Sequence, residues 1–308
     1  RGFLMQISLR YVTRFVYPDS VWESHNALRA CPADTPHQTL LSYGLEVDPK
    51  ADVFRHVDRW GTNVDTFGIV EPHDELIVAA SASVETKPRT APDPCSIDDI
   101  RDVGYRDGIW EFLQPTAHTR WGPGLSAVAH ETVDGESDFV AAVRSVESLV
   151  HGSMDYQPGS TEIGVDVEEV WVKRAGVCQD FAHLTIALLR TVGIGARYVS
   201  GYFYAADPTT VDEAGDDEIV VATHAWVEVA CPDGSWWALD PTNAASVGER
   251  HIKIGHGRDY DDVTPLRGVY YGETGHVASA EVTMSTGNII RRELPVADMG
   301  AIQELQQQ

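Results

Sequence analysis

The chain has 308 residues and a formal net charge of −24, a length that allows one large domain or two ordinary ones. A surface this acidic argues against nucleic acid and anionic membrane as partners, since both are held by basic patches. The sequence has no apolar run long enough for a transmembrane helix, and its bias of Arg over Lys fits either a salt-rich habitat or a GC-rich genome.

Residues 1–5 lead into alternating strand without an apolar run and a small-residue cleavage site. No signal peptide is expected, and Met5 reads as a native start. The cysteines are Cys31, Cys95, Cys178 and Cys231, with no CxxC pair. That predicts neither a structural zinc site nor a disulfide framework, and a cytoplasmic, reducing setting in which a thiol can stay free. No cofactor or metal is expected.

In chain order, Gln6–Val16 alternates with period two and predicts a strand, followed by strands at Thr39–Val47, Val53–Val57, Val64–Val70 and Glu75–Thr86. Residues 1–90 are therefore read as a small β-rich domain. Residues 91–134 read as a linker with helical fragments near Ile109–Leu113 and Leu125–Glu131, after a proline-rich start at 88–95. The main domain is placed at 135–295, with a tail at 296–308. Its first helix, capped by Ser137, carries Phe139, Val140, Val143, Val146, Leu149 and Val150 on one stripe. A second runs from about Cys178 to Val192, apolar almost all round, and Gly193 ends it. Strands follow at Ala196–Tyr204, Ile219–Ala230 and Trp236–Leu239, with a turn at Asp233-Gly234. Residues 206–218 read as an acidic loop. The last strands are expected near Val277–Ser285 and Asn288–Glu293.

A thiol nucleophile needs a lowered pKa, a base in reach, and a group that orients the base. Cys178 follows Gly176-Val177 at the start of the buried helix, where backbone N–H groups favour negative charge. His224 lies on a strand with Trp226 and Glu228 on its face. The hairpin returns to Asp240, close enough to hold the imidazole's tautomer. An isolated cysteine at an apolar helix is more often structural; the three residues on these elements together predict Cys-His-Asp acyl-transfer chemistry.

The run Arg174-Ala-Gly-Val-Cys-Gln-Asp-Phe-Ala-His-Leu184 resembles the nucleophile region of bacterial transglutaminase-like proteins. His224-Ala-Trp-Val-Glu-Val229 and Leu239-Asp-Pro-Thr-Asn243 resemble their His and Asp motifs, and residues 257–268 and the β-rich N-terminal part are also similar. The resemblance implies an α+β, papain-like transglutaminase core with a central helix on an antiparallel sheet. It implies Cys178 as nucleophile, His224 as base and acid, and Asp240 as orienter. It also implies a peptide or protein substrate, with activity among hydrolysis, deamidation and crosslinking. Peptide or amide hydrolysis is preferred, with protein-glutamine γ-glutamyl transfer and a non-catalytic peptide binder as rivals. Gly195 departs from a pattern that usually has proline.

Other residues have plainer readings. Tyr156, Trp171 and Gln179 are candidates for a second oxyanion donor. Asp180 is expected to order the helix start, His183 to be a packed core histidine, and Trp226, Trp236 and Trp237 to be core or cleft walls. His251 and His256 are placed in a glycine-rich loop with Asp259, Asp261 and Asp262, whose spacing lacks an EF-hand pattern. The N-terminal domain is expected to pack beside the cleft and limit access. Oligomeric state is not legible.

Overall fold

The computed structural model of the chain describes residues 4–161, 164–205 and 219–286. It opens with strands β1 (Met5–Leu28), β2 (Gln38–Asp48), β3 (Val53–Val57), β4 (Asn63–Ile69) and β5 (His73–Thr86). A mixed middle follows: α1 (Val103–Gly108), α2 (Pro123–Thr132), α3 (Phe139–Ser153), β6 (Asp155–Tyr156), α4 (Val167–Lys173), β7 (Ala175–Gly176) and α5 (Cys178–Thr191). The remainder is strand: β8 (Ala196–Phe203), β9 (Ile219–Val221), β10 (Thr223–Ala230), β11 (Trp236–Asp240), β12 (Ala245–Ser246), β13 (His251–Gly257), β14 (Leu266–Tyr271) and β15 (Val277–Thr286). The fold is α+β, as the sequence predicts.

The sheet that carries the site has the order β12-β11-β10-β8-β13. Alternation in β10 sends Ala225, Val227 and Val229 into the core beneath α5, where they meet Phe181, Leu184, Leu188 and Val143. These side chains are almost fully excluded from water, and each Val, Leu and Phe among them stabilises the fold by about 1.5–3 kcal/mol. The helix is apolar on most sides because it is enclosed: the sheet lies on one flank and α2, α3 and α4 on others.

The opposite face of the same sheet does not meet solvent. Tyr202, Ile252 and Ile254 join Ile7, Leu9, Val84, Val282 and Met284 in a second core. That core belongs to a sheet of order β2-β5-β1-β15-β9, with the far end of β1 also pairing β4 and β14. The C-terminal strands β14 and β15 thus return to the sheet built by the N-terminal segment, although chain order alone assigns them to residues 135–295. Among the described residues no helix is long and apolar enough to cross a membrane.

Several elements differ from the sequence reading. The first strand does not stop at Val16; its ladder shifts between Val16 and Val21 and runs on to Leu28. Pro18 and the positive φ of Glu23 interrupt the alternation without ending the strand. The stretch 219–230 is two strands, because β9 pairs β15 while β10 pairs β8. The cap of α3 is Asp138, whose carboxylate accepts from the Ala141 N–H at 2.8 Å, and not Ser137. The glycine-rich stretch around His251 and His256 is strand β13, not a loop. Gly195 has a local cause: its N–H donates to the Tyr105 hydroxyl at 3.1 Å, which a proline could not do. The acidic loop 206–218, the strand expected at Asn288–Glu293 and the tail 296–308 lie outside the described residues.

Candidate active site

Cys178 is the first residue of α5, so its N–H has no acceptor within the helix. The helix start is fixed by Asp180, whose Oδ2 accepts from the Val177 N–H at 2.8 Å and from the Thr161 hydroxyl at 2.5 Å. This is half of a capping box, since Val177 has no side-chain acceptor to return. Gly176 is required by space and not by backbone conformation: a Cβ there would stand 2.6 Å from Asp180 Oδ2. Asp180 therefore does order the helix start, and the glycine before the thiol makes room for it.

His224 reaches the site from β10. Its Nε2 lies 2.9 Å from Asp240 Oδ2, and Cys178 is a close enough neighbour to raise the imidazole's pKa. The hairpin pairs Val227 with Leu239, and continuing that ladder sets Asp240 diagonally across from His224. The structure thus brings all three sequence-predicted residues together. Burial alone would lower the His224 pKa; the hydrogen bond to Asp240 and the nearby Cys178 reverse this and raise it to about 10. Burial works against the Asp240 carboxylate too, yet the hydrogen bonds from His224 and His251 hold it far below the usual carboxylate range.

His251 is the residue the sequence reading missed. Its Nε2 lies 3.1 Å from Asp240 Oδ2, and its Nδ1 accepts from the Gly248 N–H at 3.3 Å. That second bond leaves the proton on Nε2, so His251 is a neutral donor, and burial lowers its pKa. Asn243 Nδ2 donates to the same Asp240 oxygen at 2.7 Å, and the Thr242 and Asn243 N–H groups donate to Oδ1. Asp240 is fully buried and its oxygens are well supplied with donors. The ligand-type atoms of His224, Asp240 and His251 lie within 4.8 Å of one another. They are already closed on each other by hydrogen bonds, which suits proton handling better than holding an ion. The signal for His251 was a histidine on a stretch that alternates only once Gly255 and Gly257 are accepted as strand residues.

Among the candidate oxyanion donors, Tyr156 is exposed and packs its ring near Phe181, and burial, then Cys178, raise its phenol pKa. Trp171 is held under the Arg174 guanidinium at 3.3 Å and lines a 510 Å³ cavity with Val128 and Leu149. His183 is buried, and its Nε2 accepts from the Tyr260 N–H at 3.2 Å. Trp226 is fully buried against Gly201, where a Cβ would meet its ring at 2.4 Å. Cys31 and Cys231 are buried, which pushes both thiols up to about 11, and burial raises Cys95 as well.

Glu228, on the His224 face of β10, sits in a buried charge cluster. Its Oε2 accepts from Lys253 Nζ at 2.6 Å and from Arg197 at 2.6 and 2.7 Å, with Arg89 3.7 Å from Oε1. Burial opposes ionisation, but Lys253 and Arg197 overcome it and keep Glu228 ionised.

A Cys-His-Asp set at a helix start and a hairpin, on a papain-like α+β core, defines the class of a transglutaminase-like fold. Residues 126–241 match the transglutaminase-like superfamily core, and residues 7–85 match the bacterial transglutaminase-like N-terminal region. An uncharacterized protein of Mycobacterium leprae is 35% identical, over 84% of this chain and 91% of that relative. An uncharacterized Mycobacterium tuberculosis protein is 34% identical, over 84% of this chain and 85% of its own. A Pseudomonas aeruginosa protein-glutamine gamma-glutamyltransferase is 30% identical across 43% of this chain and 20% of that enzyme. A solved structure from Cytophaga hutchinsonii, named as a candidate cysteine protease, aligns over 96% of both chains with a TM-score of 0.73 and 21% identity. The chain belongs to the transglutaminase-like superfamily.

Proposed function

We propose that this protein is a cysteine-nucleophile enzyme that opens peptide or glutamine amide bonds through a thioester, with water as the usual acceptor. The observation that carries the reading is one imidazole, His224, held 2.9 Å from the buried Asp240 carboxylate, with Cys178 at the start of α5 as the neighbour that also raises its pKa. The Cys178 sulfur, as thiolate beside the imidazolium, attacks the amide carbonyl carbon and forms the C–S bond. The Cys178 N–H faces the resulting oxyanion. His224 then gives its proton to the leaving nitrogen as the C–N bond breaks. Water adds to the thioester while His224 takes a proton, and loss of the thiolate restores the pair. Hydrolysis is preferred because water is always present, whereas transfer needs a site for the amine and exclusion of water. The similarity to a protein-glutamine gamma-glutamyltransferase favours γ-glutamyl transfer as the second reading.

The test is intact-protein mass spectrometry with limiting iodoacetamide on wild type, His224→Ala and Asp240→Asn. Fast labelling of Cys178 in wild type alone, slowed in both variants, supports the activated pair. The three other thiols are an internal control, because burial keeps them protonated. Equal slow labelling everywhere would move the non-catalytic peptide binder ahead. Glutamine peptides with and without a primary amine then separate hydrolysis from transfer.

A further inference from the structure

A second set of ligand-type side chains converges where the segment before α2 crosses the turn after β13. We infer that His118, Asp259 and Asp261 form a binding site for a first-row divalent cation of the Zn²⁺ or Mn²⁺ class. Their donor atoms lie within 4.8 Å of one another. His118 is only 8% exposed, and neither ring nitrogen has a hydrogen-bond partner among the described residues. Its Nε2 is nevertheless 3.1 Å from Asp261 Oδ2. A short N···O approach outside hydrogen-bond geometry suits two ligands of one metal as well as it suits an ion pair. Ligands about 2.1 Å from a shared ion stand about 3.0 Å apart at an octahedral right angle and about 3.4 Å apart at the tetrahedral angle of Zn²⁺.

The remaining groups fit this reading. Asp259 is buried and uses Oδ1 to accept the Asp261 N–H at 3.0 Å, which leaves its other oxygen for an ion. The His118 ring is stacked on His183, with centroids 5.2 Å apart and planes 5° apart, so its edge is held in place. Three cations oppose the ion. Arg190 hydrogen-bonds to the neutral acceptors Ala196 O, Gln114 O, Thr119 Oγ1 and Arg258 O, so Asp259 is its electrostatic counterweight. Arg258 is paired with Asp262. Arg267 is 3.7 Å from Asp261 but mostly exposed, so solvent screens it. Two carboxylates against Arg190 still leave a negative site. One imidazole with two carboxylates suits Zn²⁺ or Mn²⁺ better than Ca²⁺, which takes six to eight oxygens. A bound ion fastens residues 114–122 and the 260–262 turn to α5.

The experiment is equilibrium dialysis of the full chain against Zn²⁺ and against Mn²⁺, with bound metal counted by mass spectrometry. The proteins are wild type, His118→Ala, Asp261→Asn and Asp240→Asn, the last disabling the other His/Asp group. One equivalent in wild type and Asp240→Asn, bound roughly tenfold or more weakly in His118→Ala and Asp261→Asn, is expected. Asp261 is half exposed, so its Asn variant keeps the test valid should His118→Ala fail to fold. No saturable binding by wild type, undiminished binding by Asp261→Asn, or loss in Asp240→Asn alone would overturn the inference.

Discussion

Replacing His251 with Phe isolates the part played by the second histidine. Phe fills the ring's volume and keeps water away from Asp240, but supplies no donor. Asp240 Oδ2 accepts from His224, His251 and Asn243. A hydrogen bond to a charged group contributes about 1.5–3 kcal/mol. With the His251 bond gone, the oxygen's charge is shared by the two donors that remain. About 0.7–1.5 kcal/mol then reaches His224, or roughly half to one pKa unit. The sign is upward, because a less satisfied carboxylate holds the imidazolium more strongly. His251→Phe should therefore move the His224 titration upward from wherever the wild type places it. It should also lower unfolding stability by about 1.5–3 kcal/mol. His251→Gln, whose amide nitrogen can reach the place of Nε2, should return both quantities most of the way. The assay is nitrogen NMR of the His224 imidazole across pH, with urea unfolding beside it. A loss of stability in the Phe variant with no movement of the His224 midpoint would refute the reasoning and leave His251 a packing residue.

Gly176→Ala drives a methyl group into the Asp180 carboxylate and breaks its bond to the Val177 N–H. Losing that cap should destabilise the protein by about 0.5–2 kcal/mol and slow iodoacetamide labelling of Cys178; wild-type labelling in a destabilised variant would separate the cap from the thiol's geometry. The site should also print a pH profile on stability. The His224 pKa is raised from 6.5 to about 10, so its contribution is whole below 6.5 and is lost as pH rises through about 10. The Asp240 pKa is held below 3.8, so its contribution is present above 3.8 and is lost as pH falls below that value. Urea unfolding of wild type and His224→Gln across pH checks the alkaline limb, and an identical decline in both would assign that limb to other groups.

The site residues were legible because each sits on a strong local signal. Cys178 opens a helix whose apolar residues are unmistakable, and His224 and Asp240 flank a hairpin with a glycine turn. The strands Thr39–Val47, Val53–Val57 and Glu75–Thr86 were legible as runs between turn signals, and the structure extends the first by one residue at each end and the last by two at its start. What failed did so for a reason common to the cases. In β13 the sequence shows His-Ile-Lys-Ile-Gly-His-Gly, with lysine and two glycines where a strand pattern expects apolar bulk. Lys253 is buried there because Glu228 receives it, and Gly255 because Thr62 fills the space of a side chain. Both partners are remote in sequence, so no local window can report them. The same holds for β14, whose strand neighbour is β1; β15 was legible at Val277–Ser285, but its pairing with β1 was not.

That long-range pairing bears on what the N-terminal segment does. An access-limiting domain could be removed and leave a working core, but a chain reduced to residues 91–308 would lose β1, and with it the strand that β14 pairs with. Ile252, Ile254, Val282 and Met284 are buried against residues of the missing segment. Exposing these four forfeits about 6–12 kcal/mol, comparable to the whole stability of an ordinary domain, about 5–15 kcal/mol. The polar losses add to this. Gln38 exchanges two hydrogen bonds with the Lys253 backbone, and Arg89 helps balance Glu228. The truncated chain should therefore bind a hydrophobic dye and unfold without a cooperative transition. Loss of activity on truncation would then report a missing half of the core, not an opened cleft. A sharp urea transition in residues 91–308, with Cys178 labelled as fast as in the full chain, would refute this and restore the access-limiting role.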